Sequence, residues 1–122
     1  MKTTFALVLL VFLLVGRTQG KSRFAMVGIQ SDQEVYDFID RLNKDFATGN
    51  RDDVAALVRF PTHAFVDGKR VSITGKKKFI DNYDQIINKK VVDAVRVQDP
   101  QKLFVNWQGV MVGHGELWIN LV

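Results

Sequence analysis

Val35, Phe38, Ile39, Leu42 and Phe46 recur at i, i+3, i+4, i+7 and i+11. That spacing lays one apolar stripe along a helix of about four turns. Ser31-Asp32-Gln33-Glu34 precedes it with the form of a capping box, Ser31 at the N-cap and Glu34 at N3. Thr48-Gly49-Asn50 ends the helix, and Asp52 and Asp53 open a shorter one carrying Val54, Leu57 and Val58. Phe60-Pro61 stops it, because a residue before proline disfavours the helical region. The period then changes. Ala64-Phe65-Val66, Asp67-Gly68 and Arg70-Val71-Ser72-Ile73 predict a hairpin on an Asp-Gly turn. A third helix is predicted from about Lys76 to Asn88, with Phe79, Ile80, Tyr83, Ile86 and Ile87 on its apolar face. Residues 89–98 suit either state, with helix favoured before Val95 and strand after it.

The C-terminal segment has the clearest strand pattern. Leu103 to Val112 and Glu116 to Val122 flank Gly113-His114-Gly115. A two-residue His114-Gly115 loop sets Val110 and Val112 beside Ile119 and Leu117, and Met111 beside Trp118. These are better cross-strand matches than a three-residue loop offers. His114 is then expected in a left-handed conformation. The order of helix, helix, hairpin, helix and antiparallel strands predicts an α+β domain, with helices packed on one face of a curved antiparallel sheet.

The first twenty residues read differently. Lys2 precedes an unbroken apolar run from Phe5 to Val15, and Thr18-Gln19-Gly20 follows with small residues at its first and last positions. This is the layout of a cleaved signal peptide at 1–20, with the mature chain starting near Lys21. The run is too short to span a bilayer, which takes roughly 20 apolar residues. Residues 4–16 are expected as a detached helix, 21–30 as a loose arm, and 31–122 as the folded domain. The expected destination is secreted, or periplasmic in a bacterial cell, with no stable membrane span after cleavage. There is no cysteine, so disulfides, thiol nucleophiles and thiolate metal sites are excluded.

Charge narrows the partners. The leader holds two of the 17 basic residues and none of the 13 acidic ones, which leaves about +2 on the remainder. That is too little for a nucleic-acid footprint. Lys69-Arg70, Lys76-Lys77-Lys78 and Lys89-Lys90 are the basic clusters, read as solvated turns and a helix start.

Two stretches carry a resemblance. VRFPTHAFVDGKRVSITGKKKFIDNYDQIIN (58–88) and LFVNWQGVMVGHGELWIN (103–120) resemble small exported members of the NTF2-like, SnoaL-like superfamily, with Asn106 to Val110 the most specific part. In that superfamily the segment between the last two strands is often Gly-Asn-Gly or Gly-Asp-Gly, where this chain has Gly113-His114-Gly115. The resemblance implies an NTF2-like (cystatin-like) α+β cone over about Ser31 to Val122. Such exported relatives mostly have no assigned activity.

Candidate chemistry is sparse. Phe104, Asn106 and Gln108 alternate with Val105 and Trp107, so a single strand would set both amides on one face of the sheet, where they could bond a ligand held in the cone. Tyr83 and Trp118 complete the expected ligand-binding set. The plain alternative is that the amides satisfy buried backbone groups. His63 and His114 lie in different turns without ligand spacing, so no metal and no cofactor are expected. Superfamily enzymes use a buried carboxylate as base, its pKa lifted by an apolar pocket. Glu116, Asp37 and Asp40 are not in such positions, so no catalytic residue is assigned. The expected function is a non-enzymatic binding or interaction domain. Its partner would be a small apolar ligand, another protein, or a second copy meeting through the sheet. The alternatives are a small isomerase or cyclase using the cone and a cystatin-like protease inhibitor. For the inhibitor, Gln108-Gly109-Val110-Met111-Val112-Gly113 approximates a Gln-x-Val-x-Gly loop with its glycine one position late.

Overall fold

The computed structural model describes residues 5–8 and 22–121. The chain is α+β, with helices and antiparallel strands around one core. Helix α1 spans Asp32–Thr48 and buries the whole predicted stripe. Ser31 occupies the N-cap position without a side-chain cap bond, while its carbonyl accepts from the Glu34 N–H. Gly49 ends α1 at φ 71°, a left-handed C-cap that glycine adopts at no steric cost. Helix α2 (Arg51–Ala55) starts on Asn50, whose side chain accepts from the Asp53 N–H at 3.0 Å.

Strands β2 (Thr62–Val66) and β3 (Lys69–Ile73) form a separate two-stranded sheet on the predicted Asp67-Gly68 turn. Both turn residues have positive φ, at 53° and 80°. The predicted third helix is broken into α3 (Lys76–Asp81) and α4 (Tyr83–Ile86). Asn82 interrupts it at φ −111°, and its side-chain amide donates back to the Lys78 carbonyl. This is the local competition with the helix ladder that asparagine favours. Helix α5 runs Lys89–Val97, so the strand expected after Val95 is helix instead. Asn88 caps its start, and its Ala94 and Val95 are buried.

The main sheet contains β1 (Phe5–Val8), β4 (Phe104–Asn106), β5 (Gly109–Val112) and β6 (Leu117–Leu121), in the order β1-β6-β5-β4. The preferred β5–β6 register is the one found, with Val110 opposite Ile119, Met111 opposite Trp118 and Val112 opposite Leu117. His114 does not take the left-handed conformation expected of it. The flanking Gly113 and Gly115 carry positive φ instead, 64° and 105°, which costs them nothing.

Three other expectations are corrected. Leu103 to Val112 is not one strand, because the chain reverses at Trp107-Gln108 and Asn106 pairs with Gly109. Ser22–Gln30 is no loose arm. Phe24 and Ile29 are fully buried, and the Arg23 guanidinium donates to the Pro100 and Leu103 carbonyls at 3.0 and 2.9 Å. Of the helix expected over 4–16, residues 5–8 are strand, antiparallel to β6 from Trp118 to Leu121. The free N–H and C=O groups of an edge strand provide the reason. The remainder of that segment, and the cleavage positions Thr18 to Gly20, lie outside the described residues.

Helix α1 packs on α5 and α2, α2 on α3, and α4 on β2. No helix among the described residues is long and apolar enough to cross a membrane.

Candidate functional site

A groove of about 1010 Å³ opens between the β2–β3 hairpin, the α4–α5 segment and the β5–β6 turn. Each wall follows from local sequence. In β2 the burial alternates, with Thr62 and Ala64 inward and His63 and Phe65 outward. His63, Phe65 and Arg70 thus form the hairpin wall. The helical wall presents Asp84, Lys90 and Val91, held by the Asn88 cap at the start of α5. The third wall carries His114, Glu116 and Trp118, with Gln108 at the hairpin tip. Glu116 Oε1 accepts from the His114 N–H at 2.6 Å, and Gln98 Oε1 accepts from the Gly113 N–H at 2.7 Å. These two bonds fix the turn that presents His114 and Trp118.

The groove is mixed in character. Ala64, Phe65, Ile86, Val91 and Trp118 supply apolar and aromatic surface. Arg70 and Lys90 bring positive charge, and Asp67, Asp84 and Glu116 negative charge. Phe65 is 68% exposed, unusual for a large apolar side chain in a strand. Asp84 is engaged outside the groove by the Arg51 guanidinium, at 2.9 and 3.1 Å.

The expected ligand set divides. Gln108 and Trp118 line the groove, whereas Phe104, Asn106 and Tyr83 are not among its lining residues. Phe104 is 53% exposed on β4. The shared sheet face expected for Asn106 and Gln108 fails because a turn, not a strand, joins them. Asn106 Oδ1 accepts from the Gln108 N–H at 2.7 Å, a local turn bond. Asn106→Leu should therefore lower stability by about 1 kcal/mol in urea denaturation. It should leave ligand binding in the groove within about twofold. A binding loss without a stability loss would return Asn106 to the site.

Tyr83 belongs to the core. Its ring meets Phe79 edge-on at 5.8 Å, and the Arg51 guanidinium lies 5.1 Å from its centroid. Burial pushes its phenol above the ordinary value, the Arg51 charge opposes this, and Asp84 and Asp45 add to the rise. Three residues of the basic clusters are paired with acids. Lys77 bonds Asp81 at 2.7 Å, Lys76 lies 3.5 Å from Asp52, and Lys89 bonds Asp93. Hydrogen bonds from Lys89 and Arg96 hold the Asp93 carboxyl below the usual range.

Sequence reasoning treated His63 and His114 as unrelated turn residues, and the fold brings both to one groove. The available signal was Phe65, an apolar residue at an outward hairpin position. Among the described residues no three His, Asp or Glu side chains group so as to hold a metal ion. Of the Gln-x-Val-x-Gly-like stretch, only its end residues Gln108 and Gly113 lie in turns, and they are separate turns. Gly109–Val112 is the strand paired on both edges, with Val110 and Val112 fully buried. No family model matches the chain, and neither a curated protein nor a solved structure shows a significant likeness to it.

Proposed function

We propose that this chain is an exported, non-enzymatic binding domain of the NTF2-like kind, holding a small ligand in the groove between the β2–β3 hairpin, α4–α5 and the β5–β6 turn. The observation that carries this reading is the groove itself, about 1010 Å³, with the exposed Phe65 ring and the half-buried Trp118 in its walls. Sites for small ligands are concave and mostly apolar, with a few polar groups that orient the occupant. A ligand with a flat apolar body and a charged or hydrogen-bonding edge fits this lining. The NTF2-like part of the reading draws on the order of helices, hairpin and C-terminal strands. The non-enzymatic part draws on the acids. Asp67 and Asp84 are exposed, and Glu116 is engaged with a backbone N–H. A base lifted by an apolar pocket needs the opposite surroundings.

The test uses 1-anilinonaphthalene-8-sulfonate, an aromatic anion, titrated into the full chain. Its fluorescence should rise with saturable binding. Phe65→Ser should weaken that binding about five- to tenfold while changing stability by no more than about 0.5 kcal/mol, as expected of an exposed position. Binding that ignores Phe65→Ser, or no binding at all, removes the groove as a ligand site.

A further inference from the structure

The outer edge of β6 carries a second inference. Leu117-Trp118-Ile119-Asn120-Leu121-Val122 contains no charge and no proline. Sheet edges in stable proteins are usually guarded by such residues, by bulges or by a covering element. Here β1 is the covering element, with Phe5 opposite Leu121, Ala6 opposite Asn120, Leu7 opposite Ile119 and Val8 opposite Trp118. β1 lies inside the segment read as the leader. A strand that replaces β1 in kind runs antiparallel and sets apolar residues opposite Ile119 and Leu121, as Leu7 and Phe5 do. β6 meets that requirement itself. In a two-fold pairing centred on Ile119, Ile119 faces Ile119, Leu117 faces Leu121 and Trp118 faces Asn120.

We propose that β6 is a strand-receiving edge, closed by β1 in the precursor and by β6 of a second copy once the leader is gone. The processed protein is then a two-fold dimer with one continuous six-stranded sheet, three strands from each copy. This rests on the leader being removed, and it makes β1 an internal block on premature pairing.

The test detaches β1 without removing it. In an antiparallel ladder alternate residues bond the partner, so proline at two adjacent positions deletes a ladder N–H whichever residue holds it. The wild-type full chain should sediment as a 13.9 kDa monomer. The Ala6→Pro/Leu7→Pro chain should sediment at twice that mass. A synthetic peptide of residues 3–10 should return it to monomer. The alternate backbone amides of Trp118 to Leu121 that turn away from β5 should be protected from exchange in both states. A folded variant that stays monomeric overturns the proposal, as does one in which those outward amides exchange rapidly, a dimeric wild-type precursor or an open-ended assembly. If the double proline unfolds the chain, Phe5→Asp/Leu7→Asp is read in the same way. The intact mass of the exported protein reports leader removal separately, so a failure of processing is not mistaken for a failure of pairing.

Discussion

Phe79→Ala should lower the unfolding free energy by about 3–5 kcal/mol, the usual cost of emptying a buried aromatic site. Phe79 sits on α3 with 1% of its surface exposed. Its ring meets Phe60 at 5.9 Å and Tyr83 at 5.8 Å, both edge-on. Edge-to-face pairs contribute beyond area burial, so both neighbours lose a partner when the ring goes. The site lies where α2, α3 and α4 converge. Total stability for a domain of this size is about 5–15 kcal/mol, so the variant should be close to unfolding at 37 °C. Urea denaturation should show a lower midpoint with an unchanged slope. A loss below about 1 kcal/mol would mean the three helices do not share this core.

Gly109→Ala should cost about 2–5 kcal/mol for a different reason. Gly109 opens β5 at φ 133°, a backbone region that side chains rarely enter and that costs about 1–3 kcal/mol to impose. A Cβ there would lie 2.5 Å from Asn120 Nδ2 and 2.8 Å from the Ile119 carbonyl oxygen. The carbonyl belongs to β6, so it cannot retreat without disturbing the sheet. The Asn120 amide donates to the Gln108 carbonyl at 2.7 Å from a fully buried position. Breaking that bond leaves buried polar groups short of a partner, at about 1–3 kcal/mol. Gln108 also lines the groove, so Gly109→Ala should weaken ligand binding as well as stability. Melting curves and amide exchange in β5 and β6 measure both effects. A variant as stable as wild type would show that the hairpin tip relaxes freely.

The parts of this fold legible in the sequence are those set by neighbours along the chain. The α1 stripe follows from a 3.6-residue period over seventeen residues, long enough to admit one reading. The β2–β3 hairpin follows from Asp67-Gly68, since few residue pairs accept positive φ twice. The β5–β6 register follows from Val110, Met111 and Val112 finding matched partners across a short loop. The Trp107-Gln108 reversal was missed because apolar residues on both sides hide a turn from a periodicity count. Gly109 and the Asn106 side chain were its only local marks. The helix break at Asn82 was missed for a similar reason, since Phe79, Ile80, Tyr83, Ile86 and Ile87 fit one face whether or not the ladder is continuous.

By itself, then, the sequence determined the α+β class, the long first helix, both hairpin turns now seen at Asp67-Gly68 and Gly113 to Glu116, and most of the core. Each depends on spacing or turn chemistry within a few residues. Only the tertiary structure decided the burial of Phe24 and Ile29, the pairing of Phe5–Val8 with β6, and the groove that brings His63, Phe65 and Arg70 to His114 and Trp118. These join positions more than forty residues apart in the chain, and no local period records them. They arise because a hairpin, a helix start and a sheet turn must cover the same core, and the gap left between their outer surfaces is a property of the packing.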